Sequence, residues 1–386
     1  MHIAFLTPEY PHISISHSAG IGTSIKNLAV ELIKQQHKVT VFVYGQKNNE
    51  VFNDDGVAIH KIAHTKYVVG GWVFYRKKLE KYVNNSIEKS NIQLIEAPDW
   101  TGVTAFMKFK CPLLIRLHGT DAYFCKLEGR KQKSKNYFFE KIALKSADYI
   151  TSVSEFTAQE TKQLFNLKKA IKVIYNGIDT SQFQNNQNTF SVGENKGETI
   201  LYFGSIIRKK GVLELAYIFN KVVEQKPLAH LTLLGKDVND IFENESTLEL
   251  FLNKLSPNAK KNCTHIAHVP YNAVKEHIAR ANVIVLPSFA EAFPMTWLEA
   301  MAMEKALVTS NIGWAKELMV DGETGFIENP KAHQLYADKI LQLLENKELN
   351  ATFGENARQH IVNNFSQKII SNQNINYFGT IINESI

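Results

Sequence analysis

Apolar positions fall into two alternating rhythms along this chain. HIAFLT is a short, nearly unbroken apolar run, SIKNLAVELIKQQ repeats its apolar residues every three or four positions, and VTVFVY is apolar-dense again. Those periods predict a buried strand, an amphipathic helix and a second buried strand, the βαβ rhythm of a parallel sheet covered by helices. LIEAP, PLLIRLHG, YITSVS and KVIYNG continue the strand series in the first half. TILYFGS, HLTLLGK, THIAHV, NVIVLPS, ALVTS and GFI form a second series in the second half, again with helical stretches between them. The fold class is therefore α/β. Several of these strands run into Gly, Pro or Ser, so loops are expected at the carboxyl edge of each sheet, where open α/β sheets bind ligands.

Between the two series, NNQNTFSVGENKG is polar, Asn-rich and aperiodic. Residues 186–197 are accordingly predicted to link a first domain, 1–185, to a second, 198–366. The amphipathic stretch 367–386 is expected to cross back onto the first domain. Two domains also suit the length, because 386 residues exceed the roughly 250–300 at which one hydrophobic core stops growing. No fixed-period repeat marks a solenoid.

Composition changes this picture little, but charge does. Apolar residues at 44% and charged residues at 21% are ordinary for a globular chain. The three cysteines, Cys111, Cys125 and Cys263, are odd in number and lack the paired spacing of a zinc or redox motif. A reducing, cytoplasmic setting is expected. The start, MHIAFLTPEYP, has no basic segment ahead of its apolar run, and no stretch reaches the roughly 18 apolar residues of a membrane span. Residues 1–185 hold 25 Lys+Arg against 16 Asp+Glu, a surplus of +9, and the remaining 19 basic and 22 acidic residues give −3, which together make the formal +6. The basic surplus thus belongs to the first half, and an anionic partner for it is one reading.

Candidate chemistry lies at the strand ends. The loop SAGIGTSIKNLA between the first strand and the first helix places Gly20 and Gly22 where free backbone N–H groups and the helix dipole favour phosphate. A dinucleotide fingerprint would place a third glycine at Ile25 and an acid after VTVFVY, and neither is present, so NAD is disfavoured. In EAFPMTWLEAMA, Glu291 and Glu299 stand eight residues apart around a loop-to-helix boundary, with Pro294 suited to the first turn. Two carboxylates at different depths suit the vicinal hydroxyls of a ribose and of a sugar. His118 and Asp121 in RLHGTD stand at the end of an apolar strand.

These segments together resemble the family 4 retaining glycosyltransferases of the GT-B fold. The likeness runs through ADYITSVSEFTAQE, KVIYNGIDTSQF, YFGSIIRKKGVLEL, LTLLGK, NVIVLPSFAEAFPMTWLEAMA and GWAKELMVDGETGFI in order, and through the glycine loop and RLHGTD in the first half. It implies two Rossmann-like domains with parallel sheets facing a central cleft. It further implies a donor-binding carboxylate at Glu299 for the ribose and a catalytic carboxylate at Glu291 for the donor-sugar hydroxyls, with Phe293 beside it. His118 is implied against the donor sugar, and Lys210 at the diphosphate. The family's usual arginine after the glycine is replaced by Ser205, and Arg208 is expected to supply the guanidinium instead. Asn176 and Glu317 complete the candidates, and Asp121 either orients His118 or contacts acceptor.

The implied activity is transfer of a sugar from a UDP- or GDP-sugar, a substrate and not a cofactor, to a saccharide or lipid-linked acceptor in polysaccharide or glycoconjugate biosynthesis. There is no D-x-D motif, so no metal is expected, and Arg208, Lys210 and helix N-termini are to balance the leaving diphosphate. GGWVFYRKKLEKYV and LEGRKQKSK combine aromatic and basic residues, which predicts peripheral contact with an anionic membrane surface. No nucleic-acid module is recognised. A GT-B epimerase or phosphorylase, or a catalytically silent nucleotide-sugar-binding subunit, is the alternative.

Overall fold

The computed structural model describes residues 1–68, 70–185 and 198–385. The chain forms two compact units, Met1–Gly177 with Gln367–Ile386, and Ile178–Ser366. The division falls at Gly177, ahead of the boundary expected at residue 185, because Ile178 already donates its N–H to Phe365 O and Phe183 is buried in the second unit. The predicted linker 186–197 lies outside the described residues.

The first unit is built on β1 (His2–Thr7), β2 (Lys38–Gln46), β3 (Glu50–Asp54), β4 (Val57–Ala63), β5 (Leu94–Pro98), β6 (Leu113–Leu117), β7 (Tyr149–Ser152) and β8 (Lys172–Val173). They lie in the order β3-β4-β2-β1-β5-β6-β7-β8. Every pairing is parallel except β3 with β4, a hairpin absent from the expected strands. Asp55 and Gly56 both take positive φ (53° and 88°) at its turn. That is the Asp-Gly pattern favoured where a two-residue hairpin needs left-handed backbone at both central positions.

Alternation along β1 assigns its side chains to opposite faces. Ala4 and Leu6 pack with Leu79 and Val83 of the helix Gly71–Ser90 and with Phe139 and Leu144 of the helix Ser134–Ser146. Ile3 and Phe5 pack with Leu28 and Leu32 of the helix Gly20–Lys34. That second face also takes Phe378, Ile381 and Ile382 of the last helix, Gln367–Glu384. The terminal helix is pinned further by Tyr149, which donates to Glu384 (2.9 Å), and by Asn374, which accepts from the buried Arg116.

The second unit holds β9 (Thr199–Phe203), β10 (His230–Leu234), β11 (Cys263–Ile266), β12 (Val283–Leu286), β13 (Leu307–Ser310) and β14 (Gly325–Glu328), all parallel, in the order β11-β10-β9-β12-β13-β14. This is the doubly wound order in which the chain reverses direction between β9 and β12. A crevice opens there beyond the carboxyl ends of the strands.

Candidate functional site

The loops after β9 and β12 meet at that reversal. Phe289 and Ala290 donate their N–H groups to Lys209 O (2.7 and 3.2 Å), which ties one loop to the other. Gly211 sits at φ +71°, and a Cβ there would come within 1.9 Å of Pro287 O, so the close approach of the loops requires glycine. Lys210 is thereby aimed across the crevice. Its Nζ lies 3.1 Å from Glu291 Oε1, an oxygen that also accepts from Ser288 Oγ (3.1 Å). Gly204 lies beneath the lysine, with a Cβ built there 3.4 Å from Nζ.

Glu299 comes from the helix Met295–Ala302, which Pro294 precedes at its N-cap. It is buried, and its Oε1 accepts a hydrogen bond from the Tyr271 hydroxyl (2.7 Å). Burial pushes its carboxyl up to about 7, against the opposing pull of that hydrogen bond and of the Lys210 charge. Tyr271 itself rests edge-on against Phe183. Phe293 is buried with its ring against Phe365 (5.5 Å). Glu317 lies on the short helix Ala315–Leu318, half-buried.

Arg208 does not join Lys210 and Glu291. Its Nε and Nη2 donate to Asp240 Oδ2 and Oδ1 (2.6 and 3.0 Å), and Nη2 also reaches Glu243 (3.4 Å). Asp240 is buried, which makes this a partly enclosed bidentate pair, and the hydrogen bonds raise the guanidinium pKa further. The planar fork expected to bind phosphate is paired here with a carboxylate.

A similar substitution occurs in the first unit. Gly20 opens the helix Gly20–Lys34 with open space around it, but the Gly22 N–H donates to Glu9 Oε1 at 2.7 Å, and a Cβ at Gly22 would meet the Glu9 backbone at 3.1 Å. A protein carboxylate therefore occupies one of the N–H groups expected to be free for phosphate. Asp121 begins the helix Asp121–Glu128, where Arg130 Nη2 and Asn136 Nδ2 donate to it (both 2.9 Å). Those partners take Asp121 into a local network and away from orienting His118.

His118 follows β6, and its backbone N–H donates to Asp99 Oδ1 (3.0 Å) at the end of β5. Burial, reinforced by the nearby Arg116 charge, pushes the imidazole pKa down to about 3, so the ring is neutral. A neutral imidazole can donate from one ring nitrogen and accept at the other without carrying charge. Asp99 is buried, its Oδ2 has no hydrogen-bond partner, and burial pushes its carboxyl up to about 8. Glu140, pushed up to about 7 by burial, lies near it and accepts from the N–H groups of Asp121 and Ala122. A small polar cavity beside His118 is lined by Ser24, Glu96, Arg116, Asn176 and Asn374. Ser24 Oγ donates to Asn176 Oδ1 (2.9 Å), and Arg116 binds Glu96 through both carboxylate oxygens (2.7 and 2.8 Å).

Tyr271, Asp99 and Asp240 escaped the sequence reading. Asp99 ends LIEAP as His118 ends PLLIRLHG, so its strand-end position carried the same signal. Tyr271 and Asp240 act through contacts distant in sequence and had none. Among the described residues, no three His, Cys, Asp or Glu side chains gather to hold a metal, and no helix is long and apolar enough to cross a membrane.

Residues 18–182 match the family described as Glycosyltransferase Family 4, and residues 184–360 match Glycosyl transferases group 1. The capsular polysaccharide biosynthesis glycosyltransferase CapM of Staphylococcus aureus is 30% identical over 268 residues, 64% of this chain and 66% of that protein. Sucrose-phosphate synthase from Thermosynechococcus elongatus superimposes with a TM-score of 0.81 at 19% identity, covering 100% of both chains. Anabaena HepE, solved in complex with UDP and glucose, superimposes at 0.76 with 18% identity, over 98% of this chain and 100% of that one.

Proposed function

The chain belongs to the group 1, family 4 glycosyltransferases and has their GT-B fold, and from that premise we propose that it is a retaining, metal-independent enzyme acting on a nucleoside-diphosphate sugar. The observation that carries this reading is the meeting of Lys210, Glu291 and Glu299 at the reversal point of the second sheet. Unit two then holds the donor, a UDP- or GDP-sugar, and HepE with UDP and glucose supports the uridine choice. Unit one takes the acceptor, a saccharide or lipid-linked saccharide. The likeness to CapM supports a place in polysaccharide or glycoconjugate biosynthesis. The setting is cytoplasmic, with peripheral contact at an anionic membrane surface.

Each residue's part follows from its charge. When the bond from the anomeric carbon to phosphate breaks, negative charge grows on the diphosphate, and the Lys210 ammonium stabilises it. Positive charge grows on the sugar ring, where the Glu291 carboxylate accepts from its hydroxyls. Glu299 accepts from the ribose diol, and neutral His118 hydrogen-bonds a sugar hydroxyl. Phe293, two residues beyond Glu291 and packed on Phe365, is assigned to the donor as well. Gly20 and Gly22 are assigned to the donor phosphates, and Asn176 and Glu317 are further candidates at the site. Arg208 adds its charge only when Asp240 releases it. The acceptor attacks the face that the diphosphate leaves, so configuration is retained without a glycosyl-enzyme adduct.

The test is turnover of UDP- and GDP-sugars with a soluble saccharide acceptor in EDTA, with the product anomer read by NMR. The reading requires EDTA-resistant transfer with the donor's anomeric configuration. Inversion, or activity restored only by a divalent cation, would overturn the corresponding part. Ser205 together with the Asp240-held Arg208 favours one rival, a nucleotide-sugar-binding subunit, and donor binding without turnover on any acceptor would establish it.

A further inference from the structure

A carboxylate that must meet two hydroxyls at once needs a fixed place, and the helix Met295–Ala302, which carries Glu299, is gripped at both ends. The long helix Lys347–Asn364 runs antiparallel along it. At one end Phe365, the residue after the long helix, packs its ring on Phe293 (5.5 Å), just ahead of the short helix. At the other end Arg358 donates through Nη1 to Ala302 O, and its Nε lies 3.3 Å from Glu304 Oε1. Gly354, one turn before Arg358, lies so close that a Cβ there would come within 2.2 Å of Glu304 O. The last carbonyls of a helix have no partner inside it, and here a guanidinium supplies one, with its positive charge at the negative end of the dipole.

The same guanidinium holds the chain where it enters unit two. Nη1 also donates to Phe183 O (2.9 Å), and Nη2 donates to Thr180 O (3.3 Å). Phe183 is thereby fixed by its backbone, and its buried ring meets Tyr271 edge-on, with centroids 5.9 Å apart and 64° between the planes. Tyr271 opens the helix Tyr271–Arg280 and donates its hydroxyl to Glu299 Oε1. A ring left 42% exposed is not fixed by burial alone, so the Phe183 edge limits its swing. The contacts close a circuit that runs from Glu299 to the end of its own helix at Ala302, then through Arg358, Phe183 and Tyr271 back to Glu299.

We propose that Arg358 and Phe183 are positioning residues for Glu299: Arg358 ties the end of the carboxylate's helix to the Phe183 backbone, and the Phe183 ring keeps the Tyr271 hydroxyl on the carboxylate. The circuit stands on its own geometry, and only its effect on nucleoside-diphosphate affinity rests on the donor reading. Burial raises the Glu299 carboxyl, and the two groups that act against it are the Tyr271 hydroxyl and the Lys210 ammonium in the loop after β9. Loosening Tyr271 removes one of the two, so the carboxyl should titrate at higher pH.

The experiment follows the Glu299 carboxyl carbon by NMR across a pH titration of the full chain labelled with carbon-13 glutamate, the signal being assigned by its loss in Glu299→Gln. Tyr271→Phe should raise the midpoint by about one pH unit or more, as expected for loss of a hydrogen bond to a charged group. Phe183→Ala and Arg358→Met should each raise it by a smaller step, and neither should raise it further when added to Tyr271→Phe. Arg358→Met keeps the apolar stem and tests the circuit where the alanine variant does not fold. UDP and GDP affinities of the same proteins report the donor reading separately, and a midpoint that moves in a chain binding neither nucleotide still supports the circuit. The proposal falls if the two variants lower the melting temperature yet leave the midpoint unchanged, or if their shifts persist undiminished beside Tyr271→Phe.

Discussion

Tyr271 holds one oxygen of Glu299, and burial lifts that carboxyl to about 7. An ionised carboxylate accepts hydroxyl hydrogen bonds more strongly than a protonated one, so nucleoside-diphosphate affinity should rise as pH rises through 7. Glu299→Gln should flatten that profile and weaken binding tenfold to a hundredfold, about the worth of one hydrogen bond to a charged group. Tyr271→Phe removes a hydrogen bond that lowers the carboxyl pKa, so the midpoint should move to higher pH, as calorimetric titration across pH 6–9 would read. The stability sign runs the opposite way. The unfolded carboxyl ionises near its ordinary value, while the folded one stays protonated to about 7. Folding stability from this group therefore declines from about pH 4.5 to 7, by about 3 kcal/mol. Arg208 poses a separate residue question. If it reaches phosphate only on release from Asp240, then Asp240→Asn should tighten nucleoside-diphosphate binding and Arg208→Ala should change it little, whereas Lys210→Ala should cost about tenfold or more.

At the scale of elements, the ends of β5 and β6 are held together by the His118 N–H on Asp99. Because the folded Asp99 carboxyl stays protonated to about 8, its contribution to stability is lost as pH rises from about 4 to 8. Asp99→Asn keeps the acceptor and removes the ionisation. Its melting temperature should exceed the wild type's at pH 9 and approach it at pH 5, while Asp99→Ala should be destabilised at both. Most of the strands were legible in sequence because they are apolar runs, several of them closed by Gly, Pro or Ser. The β3–β4 hairpin was missed although its Asp55-Gly56 turn was in plain view, because β3 is largely exposed and β4, though buried, is interrupted by His60 and Lys61 and carries no unbroken apolar run. Glu291 and Glu299 were singled out for a different reason, their spacing across one loop-to-helix boundary, and Lys210 through the resemblance of its strand-end loop to the family's. What Arg208 does was not legible, because its partner Asp240 lies 32 residues away in another loop.

For the whole molecule, the two βα series and the return of the final helix were readable from periodicity alone. The crossing point at Gly177 was not, since the polar run beyond it masks a change of unit in ordered chain. Removal of residues 367–386 would uncover the sheet face that Phe378, Ile381 and Ile382 close, a loss of about 5–9 kcal/mol at 1.5–3 kcal/mol for each buried side chain. The truncated chain should be insoluble or melt far below the full one in a thermal scan. The most direct test of the central claim, a nucleoside-diphosphate site at Lys210, Glu291 and Glu299, is a thermal-shift comparison of UDP and GDP in EDTA. It should be run on the wild type, Lys210→Ala and Glu299→Gln. One nucleotide should stabilise the wild type by about 2.7 kcal/mol at a hundred times its dissociation constant, with most of that shift lost in both variants. If neither nucleotide stabilises the wild type, or if the variants respond as it does, the donor site has been misplaced.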